Sequence, residues 1–360
     1  MKGVEQLLGA GLILLILADV FLTVLYARAD TGLISRQLAH GVFAVFRGAS
    51  RKLDMHRGKL LSFAGPTILV LLVVVWFFGL ALGTALVIHP QLGSSIRAIA
   101  GQTQTDFTTA LYVGGNSISV IGGSNYAPET GGMRMYFLLN SIIGTAVVWL
   151  TLTYLMQVYS ALQRRNTVGL QLHLLSGETD DAANLLAGLG AGGDFHGSHS
   201  TISELASCMS QMKEAHHFYP VLFYFRFTQS FYSVSSSGFT ALDLVSLIKS
   251  ALSDQKYSWL KESAAVAQLW SASLLMLRLL EKTFVHERHA DPAASESAWR
   301  QRYRRALERL QRAVISTAED ERSGADQYVA LRREWNADVR TLSRSMRLHL
   351  HEIDPAVARA

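Results

Sequence analysis

The residues whose types and spacing can do chemistry lie in one stretch, Ala110 to Thr130, which reads ALYVGGNSISVIGGSNYAPET. Within it Val120, Ile121, Gly122, Gly123, Ser124 and Asn125 offer a run of backbone carbonyls. Glycine reaches positive-φ conformations without a Cβ clash, so successive carbonyls can turn toward one axis. A ring of such oxygens replaces the hydration shell of a cation. The preceding residues, Phe107 to about Ser119, read as a short helix with Thr105 or Asp106 at its start and Ser117 and Ser119 at its end. The C-terminus of a helix carries partial negative charge, which favours a cation. The expected ligands are permeant monovalent cations, K+ or Na+, with no other cofactor. One chain supplies one such loop, so a closed ring needs several copies, and symmetric homo-oligomers close rings most simply.

That segment needs walls. Three apolar runs reach the ~20 residues that cross ~30 Å of hydrocarbon: Gln6 to Tyr26, Pro66 to Ile88 and Met135 to Leu162. The candidate segment falls between the second and third, as a re-entrant loop. Non-helical backbone at membrane depth survives only where protein buries it or water reaches it. Gly144, in the third run, is either a hinge or a point where helices approach closely. Asp19, inside the first run, reads as hydrogen-bonded to a neighbouring helix or snorkelling, rather than as a pairing or ion-handling group. The first run is too long for a signal-peptide core and reads as a retained helix.

Basic residues set the orientation. Arg28, Arg36, Arg47, Arg51, Lys52, Arg57 and Lys59 lie between runs one and two, Arg164 and Arg165 follow run three, and only Arg97 and Arg134 lie between runs two and three. The positive-inside rule then puts the N-terminus outside, the candidate loop outside and the C-terminal half in the cytoplasm of a bacterial inner-membrane, multi-pass protein. This placement accounts for the net charge of +5 and pI near 9.3 without nucleic acid. Between runs one and two, Ile34, Leu38, Val42, Val45 and Phe46 recur at helical spacing among Arg36, Gln37 and Arg47. They predict an amphipathic helix in the headgroup layer, with a helix packed on the soluble domain as the alternative.

The stretch from Pro66 to Arg165 resembles the bacterial two-transmembrane potassium-channel-like proteins often grouped as ion channel 2. Their segment, ALYFSG-V-T-x-T-T-L/V-G-Y-G-D-x-x-P-x-T, aligns without a gap: Ala110, Leu111 and Tyr112 open the pore helix, Ser117 and Ser119 stand at threonine positions, Gly122 falls on the first filter glycine, Asn125 on the aspartate, and Pro128 and Thr130 on the closing P-x-T. The tail Tyr154 to Arg165 is also similar. The resemblance implies a homotetramer and, at Gly144, an inner-helix bend. The departures are specific. The filter threonine is Val120, the bracing tyrosine is Gly123, and the second glycine is Ser124. A cation channel of weak selectivity is therefore expected, with a non-conducting membrane receptor or scaffold as the alternative.

The expected architecture is an all-α membrane protein: three transmembrane helices with a re-entrant pore helix and filter loop, plus a cytoplasmic α-helical bundle. Its parts are 1–27 (first transmembrane helix), 28–65 (cytoplasmic linker with the interfacial helix), 66–165 (pore domain) and 166–360 (cytoplasmic domain). In the last, Thr201 with Glu204 spells a capping box. Further helices are expected at Leu242–Leu252, Tyr257–Phe284, Ala294–Ala318 and Ala325–Glu352. Ala264 to Leu280, though apolar, reads as a buried bundle helix, and the aromatic run Phe218–Tyr232 as bundle core. The Gly-rich Gly188–Ser200 lacks the strand and helix of a phosphate loop. His216-His217, His286 with His289, and His349 with His351 do not converge on a metal, and Cys208 is the only cysteine. The basic helix with Arg300, Arg302, Arg304, Arg305, Arg309 and Arg312 reads as a solvated face, with anionic lipid as the other partner it suits. No catalytic constellation is present, so the chain is not expected to be an enzyme. Its expected partners are further copies of itself and the bilayer.

Overall fold

The computed structural model describes residues 2–26, 32–52, 57–119, 123–284 and 295–345. The chain divides into two compact units, Met1–Tyr159 and Ser160–Ala360.

In the first unit, α1 (Lys2–Val20) runs on through a π-helical turn, Phe21–Leu25. Then come α2 (Ile34–Lys52), α3 (Arg57–Ser62), α4 (Ala64–Ile88), the short α5 (Phe107–Ile118) and α6 (Gly131–Leu175), which continues into the second unit. Two three-residue strands, β1 (Ile96–Ala98) and β2 (Tyr126–Pro128), flank α5 and pair antiparallel, Ile96 opposite Pro128. Gly3–Leu25, Leu60–Gln91 and Gly131–Leu175 are each long and apolar enough to cross a bilayer.

Helices α1 and α4 pack at glycines. A Cβ on Gly83 would lie 3.0 Å from the Gly9 carbonyl oxygen and 2.8 Å from Ile13, and one on Gly79 would meet Ile16 at 2.7 Å. Gly79 and Gly83 form a G-x-x-x-G pair, which lets two membrane helices approach to backbone contact. Along α6 the buried positions recur every three or four residues. Asn140, Gly144, Val147, Thr151, Tyr154 and Val158 mark this seam in the first unit, and Ala161, Arg165, Val168 and Leu172 in the second. Trp149 points away from it and is exposed.

The second unit is a helical bundle built round α9. Its helices are α7 (Ala182–Leu189), α8 (His199–Phe218), α9 (Val234–Ala251), α10 (Asp254–Lys261), α11 (Ala264–Phe284), α12 (Ser295–Arg312), α13 (Glu321–Arg333) and α14 (Asn336–Ser345). Nearly every residue of α9 is buried, with α7, α11, α12, α13 and α14 against it. The apolar α11 is long enough to span a membrane but packs on α8 and α9, as expected of a bundle helix.

Several expectations are corrected here. The Thr201–Glu204 capping box does not form, because α8 already begins at His199 and Thr201 lies within it. Helix α9 starts eight residues before Leu242, since Ser233 caps it by accepting from the Ser236 amide. The Tyr257–Phe284 helix breaks at Glu262–Ser263, and the Ala325–Glu352 helix breaks after Arg333. The aromatic run 218–232, expected as bundle core, follows the end of α8 as two 3-10 turns and is core only in part, with Val221 to Phe225 buried and Phe218 exposed. Of the paired histidines, His286, His289, His349 and His351 lie outside the described residues, as do Met346 to Glu352.

Arg302 is not on a solvated face. It is 5% exposed and donates to the fully buried Asp243 of α9 at 2.5 Å and 3.1 Å, and to Asp181 at 3.3 Å. Asp243 also accepts from Tyr328 Oη at 2.5 Å and faces Arg332 at 3.7 Å. The Arg332 guanidinium lies over the rings of Phe239, Trp299 and Trp335, at 5.2 Å, 5.4 Å and 5.3 Å. One carboxylate thus ties α9 to α12 and α13. His216 is equally buried. Its Nδ1 bonds the Met212 carbonyl at 2.9 Å, while Nε2 has no hydrogen-bond partner among the described residues. Burial, then the positive Arg165, then opposed by the Met212 bond, push its pKa down to about 4 from 6.5.

Two outcomes follow. Asp243→Ala removes the buried carboxylate that Arg302 and Arg332 share and should remove about 3–5 kcal/mol of stability, read as a lowered melting temperature of the full chain in detergent. His216 is neutral when folded and takes a proton when unfolded. Its contribution is complete above pH 6.5 and is lost as pH falls toward 4, by up to about 3 kcal/mol. His216→Gln should flatten the melting profile across that window. An unchanged profile would sink the assignment.

Candidate pore segment

Helix α5 has 12 residues. At 1.5 Å per residue it is ~18 Å long, too short to cross a bilayer core. Asp106 caps it: one carboxylate oxygen accepts from the Thr109 amide at 3.0 Å, the other from the Thr109 hydroxyl at 2.7 Å. These two bonds hold the Asp106 carboxyl below its ordinary pKa. Of the two candidates for the cap, Asp106 is the one the structure uses.

The helix lies between α4 and α6. Ala110, Val113, Gly114 and Ser117 are buried, and Ala110 and Val113 pack with Ala85, Ile88, Leu92 and Ile96. A Cβ on Gly114 would stand 3.0 Å from the Ala85 amide nitrogen, so α5 touches the α4 backbone there. On the other side the Asn140 amide of α6 donates to Ser117 Oγ at 3.1 Å, and Ser117 Oγ donates to the Gly114 carbonyl at 2.8 Å. Gly144 takes the end of α5. A Cβ on it would fall 1.9 Å from the Ile118 carbonyl oxygen. Helix α6 is unbroken at Gly144, so in this conformation the residue serves close approach.

Ser119 closes α5 in extended backbone, its amide reaching the Gly115 carbonyl at 3.0 Å. Val120, Ile121 and Gly122 lie outside the described residues. The chain is described again from Gly123, whose φ of +118° suits glycine alone. Ser124 Oγ accepts from the Tyr126 amide at 3.1 Å, and the Asn125 carbonyl accepts from the Ile99 amide at 2.7 Å. Strand β2 then pairs with β1, so both flanks of the segment are hydrogen-bonded to each other. Asn116 Nδ2, on α5, is buried with no hydrogen-bond partner among the described residues.

Of the candidate residues, Gly123, Ser124 and Asn125 can be placed, at the exit of the loop, with Ser117 and Ser119 at its entry. Sequence reasoning missed Asn140. Its signal was there, since an amide at mid-span in an apolar helix needs a partner. Among the described residues no group of His, Cys, Asp or Glu could hold a metal ion.

No family model and no solved structure matches the chain. A curated relative does: YdjJ, an uncharacterized membrane protein of Bacillus subtilis (strain 168), is 24% identical over 222 residues, which cover 61% of this chain and 63% of the relative. The chain thus spans less than two thirds of that relative's length. With several apolar helices of spanning length, this makes the chain a largely helical membrane protein.

The contact at Gly144 can be tested by volume. Gly144→Ala puts a methyl group into the Ile118 backbone and should lower the melting temperature of the detergent-solubilised protein, at a cost of about 1–3 kcal/mol. Gly115→Ala is the control: nothing lies within 4 Å of a Cβ there, so stability should hold or rise. Equal behaviour of the two variants would contradict the packing.

Proposed function

We propose that the chain is one subunit of a homotetrameric, potassium-channel-like cation channel. The observation that carries this reading is α5 itself. A helix too short to span is capped at its N-terminus, wedged between two helices that can span, and leads from its C-terminus into a glycine-rich loop. Such a helix has no structural use as a span. Its geometry suits a role in which the negative end of the helix and the carbonyls after it face a dehydrated cation. Four copies would supply four such ends round one axis, with the N-terminus outside and the second unit in the cytoplasm, as the basic-residue asymmetry directs.

The reading includes weak selectivity, with K+ and Na+ both permeant. Gly123 stands where the resembled family has its bracing tyrosine, and its φ of +118° is one that a tyrosine rarely adopts. The loop is built for glycine at that point, so the family's stiff filter frame is replaced rather than merely lacking one side chain. Gly144, though a contact in this conformation, also stands where a bend of α6 would open the inner end of the path.

Purified protein in liposomes should run as a tetramer by mass in mild detergent and carry both K+ and Na+. Gly123→Val should abolish flux while the oligomer and its helical content persist, because a β-branched residue is disfavoured at that φ. Unchanged flux through a well-folded Gly123→Val tetramer would place the ion path elsewhere. A folded tetramer with no flux in the parent protein would favour a receptor or scaffold.

A further inference from the structure

Helix α2 has 19 residues and not one of them is acidic, while Arg36, Arg47, Arg51 and Lys52 are basic. Its position is fixed by Asp19, which is fully buried on α1. One oxygen of that carboxylate accepts from the Ile34 amide at 2.8 Å, the Ser35 amide at 3.2 Å and the Ser35 hydroxyl at 3.3 Å. The other accepts from the Trp76 indole of α4 at 2.8 Å. A residue of one helix therefore caps the N-terminus of another, where a carboxylate is favoured by the helix dipole. The Thr23 and Ser35 hydroxyls meet at 2.8 Å beside it.

This cap sets depth. Beyond Asp19 the first span continues through Leu25, with Phe21 and Leu25 more than half exposed. Helix α2 thus begins at a level where α1 still displays apolar side chains to its surroundings. From there α2 runs against α4, with Ser35, Ala39 and Ser50 buried. At 100° per residue, Leu38 and Val45 fall on one edge of α2, and Arg36 and Arg47 lie about 160° round the axis from them. Val45 is 70% exposed. An uncovered apolar edge and a basic edge therefore stand on opposite sides of a helix that is held laterally by α4.

We propose that α2 is an interfacial helix that Asp19 docks into the headgroup layer, with its Val45 edge in the acyl chains and its arginine edge binding the phosphates of anionic phospholipid. The occupant is lipid rather than protein because the helix carries positive charge only, begins at apolar depth and lies between two spans. Anionic lipid at a membrane surface attracts juxtamembrane basic residues, and an amphipathic helix adds burial of its apolar edge. The inference needs only a membrane protein, and it stands or falls independently of ion conduction.

The test uses the full chain in phosphatidylcholine vesicles with and without phosphatidylglycerol. In a Cys208→Ser background, Val45→Cys is labelled with a polarity-sensitive fluorophore. The label should emit to the blue and be quenched by phosphatidylcholine brominated on its acyl chains, and aqueous iodide should quench it little. Iodide quenching with water-like emission would overturn the proposal. So would blue emission without bromolipid quenching, which marks a protein cover such as a second copy. Arg36→Gln with Arg47→Gln should lower severalfold the phosphatidylglycerol retained through detergent extraction. Unchanged retention would refute the anionic preference. Asp19→Ala, in protein that remains helical, should weaken bromolipid quenching at position 45, and quenching equal to the parent would remove Asp19 from the mechanism. If that variant does not fold, Trp76→Phe tests the same dock by the same quenching.

Discussion

Polar groups at apolar depth must find partners within the protein, because hydrocarbon offers none. The first unit is arranged round that requirement. Asp19, placed in the first apolar run, is satisfied by two amides, a hydroxyl and an indole drawn from α2 and α4. Asn140, placed in the third, is satisfied by Ser117 of α5. Each polar residue joins its own apolar helix to a further segment, α2 or α5, and that segment gains a fixed position from the bond. The same rule explains the flanks of α5, where Asp106 takes the Thr109 amide and hydroxyl and the β1–β2 pair takes the backbone after the loop.

Small residues do the complementary work. Gly79 and Gly83 admit α1, Gly114 brings α5 onto the α4 backbone, and Gly144 admits the Ile118 carbonyl. Between membrane helices there is little hydrophobic gain, so close contact supplies the attraction through dispersion. The outcome is α1 held to α4, and α5 held to both α4 and α6, by backbone-level contacts. Such an arrangement has few ways to shift by a fraction of an ångström.

The second unit solves a different problem with one charge. Helix α9 is enclosed by its neighbours, and a carboxylate there has no water to turn to. Asp243 is met instead by Arg302, Tyr328 and Arg332, whose guanidinium is in turn covered by aromatic faces. A buried pair of this kind contributes little net stability, but losing one partner is severe. It therefore fixes which helices surround α9 more than it strengthens the bundle.

Sequence alone determined what local chemistry dictates. The three apolar runs, the capped short helix between the second and third, the bundle character of the second unit and the interior role of Ala264–Leu280 all followed from hydropathy, length and spacing. The candidate loop was legible as a run of glycines between those walls, and Gly123 does carry a positive φ. Tertiary structure decided whatever depends on partners distant in the chain. Asp19 waits for amides 15 and 16 residues on and an indole 57 residues on. Gly144 becomes a contact only because α5 ends against it. Arg302 leaves the basic face of α12 because Asp243 lies 59 residues before it. Helix periodicity records which side of a segment is apolar, whereas pairing between segments is set by which donors and acceptors the fold brings to the same depth. That is why the elements could be read from the residues, and why the bonds holding them together required the three-dimensional arrangement.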